Sequence, residues 1–293
     1  MKTELLPTPT GLTLMEILTR FNTDEKAREY LEAIRWPNGV VCPHCKNSDQ
    51  ERIWKLTGNT AKKIRFGLRQ CGECKKQFTV TVGTIFEDSH IPLGKWLAAW
   101  YLLCSSKKGI SSLQIQRMLD LGSYRSALFM MHRIRHALRD PSFTEKLSGT
   151  VEVDETYVGG KLRGGKRGLG SENKIPVVSL VERDGKKRSM VMERVTADNL
   201  RGAVMEHVTV NSKLMTDDSH LYRTSAIPML FHHGVVKHSA KEYARKEKDG
   251  STTHTNSVES SFSLLKRGIV GTFHQVSKQH LPLYLAEFGS GSV

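Results

Sequence analysis

The chain has 293 residues, which is enough for two or three domains with a sizeable core. It carries 44 lysines and arginines against 30 aspartates and glutamates, a formal net charge of +14. Basic residues are spread over the whole chain, which favours a polyanionic partner, although a surface of solvated lysines gives the same balance. The sequence has no apolar run long enough for a transmembrane helix and no apolar signal segment at its start, so we expect a cytoplasmic protein.

Residues 1–40 are predicted to form a small helical segment. Apolar residues recur with helical periodicity between positions 13 and 36, and Thr23 is a candidate cap for a second helix. The run Trp36-Pro-Asn-Gly39 is expected to end that helix. Nothing in this segment suggests catalysis.

Residues 41–90 are predicted to form a zinc ribbon. Cys42-Pro-His-Cys45 and Cys71-Gly-Glu-Cys74 are separated by 25 residues, and two such pairs complete a closed tetrahedral zinc site. His44 is an alternative ligand within the first pair, and a redox role is the alternative for the pairs. Lys75 and Lys76, beside the second pair, are predicted to contact DNA. The fifth cysteine, Cys104, is expected to be a core residue of an apolar helix, and no disulfide framework is expected.

Residues 91–145 are predicted to be helical and to bind DNA. A helix over 107–119, a turn at Leu121-Gly122 and a second helix over 123–135 fit a helix-turn-helix, with an ordinary helical hairpin as the alternative. The candidate DNA contacts on the second helix are Arg125, Arg133 and Arg135. Phe129 and Met130 are expected in the core.

Residues 146–288 change to a strand-rich pattern. The predicted order is three strands, a helix, a strand, a helix, a strand and a final helix from about Thr255 to Arg267. Three antiparallel strands extended by two parallel strands is the ribonuclease-H-like arrangement, so the expected fold class is α/β and multidomain. The basic, glycine-rich loop 161–170, which begins with Lys161, is either an arm along a DNA backbone or a disordered connector.

Three acids on different elements of this domain are candidate catalytic metal ligands. Asp154 lies within the first strand, Asp217 ends the fourth, and Glu259 lies on a polar stripe of the last helix that also contains Lys266. Brought together by the strand order, these carboxylates would hold two Mg²⁺ or Mn²⁺ ions for phosphodiester chemistry. For any single acid, the alternative is a solvated charge.

These motifs together resemble the prokaryotic insertion-sequence transposases that combine an N-terminal zinc ribbon, a helix-turn-helix and a DDE catalytic domain. The resemblance covers roughly residues 36–288. Its matching motifs are Cys42-Pro-His-Cys45, Cys71-Gly-Glu-Cys74 with Gln77-Phe78, Gly83-Thr-Ile-Phe86, Val153-Asp-Glu-Thr-Tyr-Val-Gly-Gly-Lys161, Thr216-Asp217, His254-Thr-Asn-Ser-Val-Glu259, Lys266-Arg267-Gly268 and the segment from Gly271 to Phe288.

The resemblance implies that Asp154, Asp217 and Glu259 are the DDE metal ligands, and that Lys266, followed by Arg267, binds terminal DNA. Asp218 doubles the second acid and is an alternative to Asp217. Some relatives carry Asn at the third position, which makes Asn256 an alternative to Glu259. The family would continue with basic sequence after Phe288, so residues 289–293 are interpreted as a foreign or truncated Gly/Ser tail.

The sequence therefore predicts a transposase that binds double-stranded DNA, both transposon ends and target, as a homodimer or larger assembly, in the cytoplasm of a prokaryote with the nucleoid. Structural Zn²⁺ and two catalytic Mg²⁺ or Mn²⁺ ions are the expected cofactors. Tyr157 and Tyr222 are expected to be structural or to contact DNA. Two rival hypotheses are a DNA-binding regulator without catalysis and a nuclease on the same fold that cuts without joining.

Overall fold

The computed structural model describes residues 12–57, 64–139, 146–160, 174–183, 185–225, 227–240, 242–248 and 250–290. The chain divides into two compact units, the first from residues 1–105 and 112–137, the second from residues 106–111 and 138–293. The predicted basic loop 161–170, including Lys161, lies outside the described residues. So do residues 291–293 of the predicted tail, whereas its first two residues end the last helix.

The first unit begins with two capped helices, α1 (Leu14–Arg20) and α2 (Asp24–Arg35). Thr13 and Glu16 form a capping box, in which the Thr13 backbone N–H donates to the Glu16 carboxylate at 2.6 Å. Thr23 caps α2, as predicted, by accepting a hydrogen bond from the Lys26 backbone N–H. Trp36 follows the last residue of α2, so the predicted stop is confirmed.

Three short antiparallel strands form the ribbon, in the order β1 (Ile53–Lys55), β2 (Arg69–Cys71) and β3 (Gln77–Phe78). The alternating residues from Gln77 to Val82 predict a strand after the second cysteine pair, and β3 is shorter than that prediction. It ends at Phe78, and residues 79–82 leave the sheet although Thr79, Val80 and Thr81 are buried. Alternation of apolar and polar residues over 79–82 reflects burial of these side chains, and burial does not require that the segment pair with another strand.

Helices α3 (Leu93–Ser105), α4 (Ser112–Met118) and α5 (Tyr124–Ala137) complete the first unit. The helix predicted over 107–119 begins only at Ser112. Between α4 and α5 the left-handed residue is Asp120, with φ 45°, and the predicted turn glycine, Gly122, has an ordinary φ. The Leu121 N–H donates to the Gln116 carbonyl across this turn, which satisfies a terminal carbonyl of α4.

A five-stranded mixed sheet forms the centre of the second unit. Its strands are β4 (Thr150–Val158), β5 (Ile175–Glu182), β6 (Lys187–Val191), β7 (Lys213–Asp217) and β8 (His232–Val236). The order is β6-β5-β4-β7-β8; β4, β5 and β6 pair antiparallel, β7 is parallel to β4, and β8 is parallel to β7. This strand order is the one expected from the sequence, and it places β4 in the middle.

Helices cover both faces of this sheet. The helices are α6 (Ala197–His207), α7 (His220–Thr224), α8 (Ile227–Leu230), α9 (Asn256–Gly268) and α10 (Leu281–Ser290). On one face, Val151 and Val153 pack in a core with α6 and α7; on the other, Val158 and Val177 pack with α9 and α10. Because side chains alternate along a strand, Glu152 and Asp154 lie on the α9 face.

A two-stranded hairpin, β9 (Ala244–Lys246) with β10 (Thr252–His254), precedes α9 and differs from the sequence-based expectation. Its strands have only three residues each, too few for a periodic pattern. The polar composition of the segment predicts a loop instead.

Residues 106–111 join the second unit although the helices on either side of them belong to the first. The Ile110 N–H donates to the buried carboxylate of Glu287 in α10 at 3.1 Å. A Cβ at Gly268 would lie 2.6 Å from the Lys108 carbonyl oxygen, so this approach requires glycine. No helix in the described part of the chain combines the length and apolar character needed to cross a lipid bilayer.

Candidate active site and zinc centre

The four cysteines of the ribbon form one compact cluster. Their Sγ atoms all lie within 4.8 Å of one another, with Cys42 to Cys74 at 3.7 Å and Cys45 to Cys71 at 3.6 Å. Backbone N–H groups of Cys74 and Glu73 lower the pKa of the Cys71 thiol to about 6, which favours the thiolate form that binds metal. Four sulfur ligands at this spacing fit a structural zinc ion.

Both cysteine pairs have the same backbone geometry. In each, the N–H of the first cysteine donates to a carbonyl five residues later, Cys42 to Asn47 and Cys71 to Lys76. The residue after each second cysteine is left-handed, with φ 66° at Lys46 and 61° at Lys75. His44 lies outside the cluster, with Nε2 near the Gln77 carbonyl oxygen, so the four cysteines form the set without it.

The register of the central strands brings Asp154 and Asp217 to the same level of one face. Parallel pairing runs from Thr150↔Lys213 to Glu152↔Met215, and each aspartate lies two residues beyond that last pair. Both side chains therefore lie on the α9 face of neighbouring strands. The structure brings together the two strand acids that the sequence selected.

Glu259 approaches these acids from α9, which packs on β4 and β5. Val258 and Phe262 are buried against the sheet, and Glu259 lies beside them on the exposed side of the helix. Its Oε1 accepts a hydrogen bond from Thr255 Oγ1 at 3.0 Å and lies 3.2 Å from His238 Nε2. Two neighbours thus hold this carboxylate in place.

Burial makes the charged form of Asp154 costly. It raises the pKa of Asp154 to about 7, and the nearby carboxylates of Glu155, Asp217 and Glu259 act in the same direction. Burial also raises the pKa of Asp217, assisted by the charge of Asp218, while the Ser219 N–H and His238 oppose that shift. A divalent cation would relieve both costs, so this set of hard oxygen ligands fits Mg²⁺ or Mn²⁺.

The charges of Asp217 and Glu259 both raise the pKa of Asp154, but the three carboxylates do not close into a tight cluster. Among the residues that the structure describes, only the four cysteines form a group of three or more potential ligand atoms within 4.8 Å of each other. The carboxylate site is therefore open, whereas the thiol site is closed.

Asp218 and Asn256, the two alternative ligands, differ in their surroundings. Asp218 Oδ2 accepts a hydrogen bond from Ser239 Oγ at 2.6 Å, which lowers the pKa of Asp218. Asn256 is exposed in the first turn of α9, and its N–H donates to His254 Nδ1. Asp217 and Glu259 are the acids whose charges raise the pKa of Asp154, and they stay the predicted ligands.

Three residues around the acids are not identified by the sequence patterns. His238 and Thr255 contact Glu259. Glu152 is fully buried beneath the start of α9. The only signal for Glu152 is its position two residues before Asp154 on a strand. Thr255 lies within the motif that contains Glu259 but is not selected by it, and His238 has no signal.

Tyr222 takes the structural role that was one of its two expected alternatives. It is fully buried, and its hydroxyl donates to Glu155 Oε2 at 2.7 Å. A side chain in this position supports the strand that carries Asp154 and is closed to DNA.

The predicted DNA contacts differ in exposure. Those with exposed side chains are Lys75, Lys76, Arg125, Arg133, Lys266 and Arg267. Arg133 already donates to the carbonyls of Ile85 and Glu87. Arg135 is fully buried, so its assignment to a DNA-contacting surface is corrected: it faces the core side of α5 beside Ile134. Phe129, expected in the core, is 58% exposed, with Arg125 over its ring, whereas Met130 is buried as expected.

Comparisons with known proteins match two separate stretches of the chain. Residues 22–77 match a transposase zinc-ribbon domain, and residues 146–289 match an ISXO2-like transposase domain. An uncharacterized protein in transposable element ISH50 of Halobacterium salinarum is 28% identical over 290 residues, covering 94% of this chain and 92% of that protein. The first match contains the cysteine cluster and the second contains all three acids.

Proposed function

The chain belongs to the family of insertion-sequence transposases with a zinc ribbon and an ISXO2-like transposase domain, and from this premise we propose that it catalyses DNA cleavage and strand transfer. In this proposal the enzyme binds the terminal inverted repeats of its element. It cuts the DNA to expose a 3′-hydroxyl and joins that end to target DNA. The sheet of the second unit is the ribonuclease-H-like core of the DDE domain.

This proposal depends mainly on one observation: Asp154 and Asp217 are at equivalent positions on adjacent strands and on the same face of the sheet, with Glu259 above that face. In the proposed site the two aspartates bind cations from the sheet, and Glu259 completes the set from α9. When bound, two Mg²⁺ or Mn²⁺ ions supply charge that activates the attacking oxygen and stabilises the leaving oxygen. Thr255 and His238 orient Glu259.

Recognition of the DNA ends is assigned to the first unit. Its ribbon has exposed Trp54 with Lys75 Nζ 6.0 Å from the ring centroid, and Lys76 is exposed beside them. The pair α4 and α5 acts as a helix-turn-helix, with Arg125 exposed on the second helix. Cationic and aromatic side chains of this kind fit the phosphates and bases of DNA. Lys266 and Arg267, exposed in the last turn of α9, hold the DNA end near the acids.

Two ends joined to one target require more than one active site, so we propose a homodimer or larger assembly on DNA. The same requirement separates a transposase from a simple nuclease. A nuclease would release cut DNA and leave the target intact.

The test is strand transfer of a labelled element end into a plasmid with Mg²⁺, using the intact protein, Glu259→Gln and the control Glu206→Gln. Glu206 is an exposed acid of α6, so its loss changes the charge equally without touching the site. We expect joined product with the intact protein and the control, and a loss of at least about 1,000-fold with Glu259→Gln.

DNA binding without cleavage or joining by the intact protein, in Mg²⁺ and in Mn²⁺, would sink the enzyme proposal and favour a regulator. Cleavage without joining would favour a nuclease. Equal joining by Glu259→Gln and the intact protein would remove Glu259 from the ligand set.

A further inference from the structure

We propose that Glu152 is a positioning residue that fixes the start of α9 against the central strand and so sets where Glu259 stands relative to Asp154. This inference rests on the proposed function, because it concerns how that site is assembled. Glu152 neither reaches the reacting atoms nor belongs to the ligand set. It acts through the helix that carries the third ligand.

One oxygen of Glu152 caps the first turn of α9. Oε2 accepts hydrogen bonds from the Ser257 N–H at 2.7 Å and from the Val258 N–H at 3.1 Å. The first N–H groups of a helix have no partner within the helix, and they carry its partial positive charge. Thr255, which stands at the N-cap, makes no side-chain cap bond. The cap therefore comes from the sheet.

The other oxygen ties the same carboxylate to the hairpin that leads into α9. Oε1 accepts from Arg183 Nε at 2.9 Å and from Ser257 Oγ at 3.0 Å, and it lies 3.1 Å from His254 Nδ1. Arg183 Nη1 and Nη2 donate onward to the carbonyls of Thr252 and His254 in β10. One buried ion pair thus joins β4, the end of β5, the last hairpin strand and α9.

The position of Glu152 along the chain makes this network specific to the site. Glu152 and Asp154 share a face of β4 and lie two residues apart, on the order of 7 Å along the strand. Val258, whose N–H donates to Glu152, immediately precedes Glu259. The distance between Asp154 and Glu259 therefore depends on the hydrogen bonds of one side chain, that of Glu152.

Only a carboxylate can make this set of contacts. Each oxygen accepts two hydrogen bonds, and the four groups that make them, Arg183 Nε, Ser257 Oγ and the backbone N–H groups of Ser257 and Val258, all donate. Glutamine has nearly the same shape, but its NH2 group would take the place of one carboxylate oxygen. In either orientation of the amide, that NH2 group would face hydrogen-bond donors. A buried carboxylate beside Arg183 is also costly to remove, since the guanidinium would remain.

The experiment compares the full-length, zinc-containing protein with Glu152→Gln and with Glu182→Gln. Glu182 lies at the end of β5, opposite Val151, and its carboxylate accepts from Ser148 and makes no contact with α9. The readouts are amide hydrogen exchange over 256–262, the affinity for Mn²⁺ measured by electron paramagnetic resonance, the rate of strand joining at saturating DNA, and DNA affinity.

For Glu152→Gln we expect exchange at Ser257 and Val258 to accelerate at least tenfold while the amides of β4 and β5 remain protected. Mn²⁺ affinity should fall about tenfold, and joining should fall about 100-fold, as for a misplacement of about 1 Å. DNA affinity should change less than twofold. A purely structural defect would instead reduce the folded fraction, and the molecules that remain folded would join DNA at the normal rate. Glu182→Gln should match the intact protein.

Protected amides and an unchanged Mn²⁺ affinity in Glu152→Gln would overturn the inference. If that variant does not fold, Ser257→Ala replaces it, because this change removes one bond to Oε1 and keeps the backbone N–H. The same effects are then expected at about threefold to tenfold, and their absence would overturn the inference equally. Failure of the intact protein to join DNA would instead sink the proposed function, while the exchange data would still decide whether Glu152 holds α9.

Discussion

The thiol cluster of the first unit and the carboxylate cluster of the second are built in opposite ways. The four sulfur atoms stand within 4.8 Å of one another, held by two turns of identical backbone geometry. Asp154, Asp217 and Glu259 come from two strands and a helix, and the charges of the other two add to the burial that raises the pKa of Asp154. The thiol site is built from two short segments of the sequence, each of which supplies two cysteines. The carboxylate site depends on the pairing of the strands and on the packing of α9 against the sheet.

The difference teaches how chemistry decides whether a site can close before its ion arrives. Thiols are neutral when protonated, so they can approach one another without repulsion. Ionised carboxylates repel one another, and burying several together is costly until a cation compensates, which is why the pKa of Asp154 is raised. An open arrangement of acids, restrained by neighbours such as His238 and Thr255, is the physical result.

The largest expected effect comes from removing one thiolate. Cys71→Ser should lose the zinc ion, whose binding contributes on the order of 10 kcal/mol to the folding of such modules, and with it the ordered ribbon. Zinc content by plasma emission and amide exchange over β1 to β3 measure this. Cys104→Ser, outside the cluster in α3, is the matched control. One equivalent of zinc in both variants would contradict the assignment.

The opposite response is expected at the acid site, where losing a charge should stabilise the metal-free fold. The pKa of Asp154 is raised to about 7, above its unfolded value near 4, so the native state binds the extra proton between those limits. Stability is therefore lost as pH rises from about 4 to about 7. Asp154→Asn should be more stable by about 2–4 kcal/mol at pH 8 in chelator and equal near pH 4.

Urea unfolding at several pH values measures that difference. Mg²⁺ should reduce this difference in stability, because it should stabilise the unsubstituted protein and not the Asp154→Asn variant. A variant that is less stable than the native protein at pH 8 in chelator would show that ionised Asp154 stabilises the metal-free fold, which is the reverse of the expected sign.

A smaller effect is expected in the layer that supports the acids. Tyr222→Phe removes the hydroxyl that donates to Glu155 at 2.7 Å, leaving a largely buried carboxylate short of a donor. The free energy of unfolding should fall by about 1–3 kcal/mol. Tyr243→Phe, at an exposed ring, should change it by less than about 0.5 kcal/mol. Equal stability of the two variants would show that this bond is dispensable.

The smallest expected effect is a difference in DNA binding between variants of the two cysteine turns. Lys46 and Lys75 occupy equivalent left-handed positions, but only Lys75 lies over the exposed Trp54 ring. Lys75→Ala should weaken DNA-end binding about threefold to tenfold and reduce the slope of its salt dependence by about one, with zinc retained. Lys46→Ala carries the same backbone strain and should weaken binding less. Fluorescence anisotropy at several salt concentrations decides between them.

The elements that could be predicted from the sequence are those whose signals are periodic or spaced. The cysteine pairs, the strands from Thr150 to Val191 and the final helix fall where alternation, spacing and helical periodicity place them. Asp217 could be chosen because the strand ends there.

Other features depend on contacts between distant segments, which no local pattern reports. Arg135 looks like a surface cation but is buried, and Phe129 looks like a core residue but is exposed. Glu152 resembles any strand acid, and its partners, Arg183 and the first N–H groups of α9, are distant in sequence.

The path of the chain through residues 106–111 has a practical consequence for making fragments. Because this segment belongs to the second unit while its neighbours belong to the first, no single cut separates the units. A recombinant piece starting at residue 138 would lack Ile110, and the buried carboxylate of Glu287 would lose that donor. Expression of an autonomous catalytic fragment therefore calls for a circular or grafted design that returns these six residues to their place beside α10.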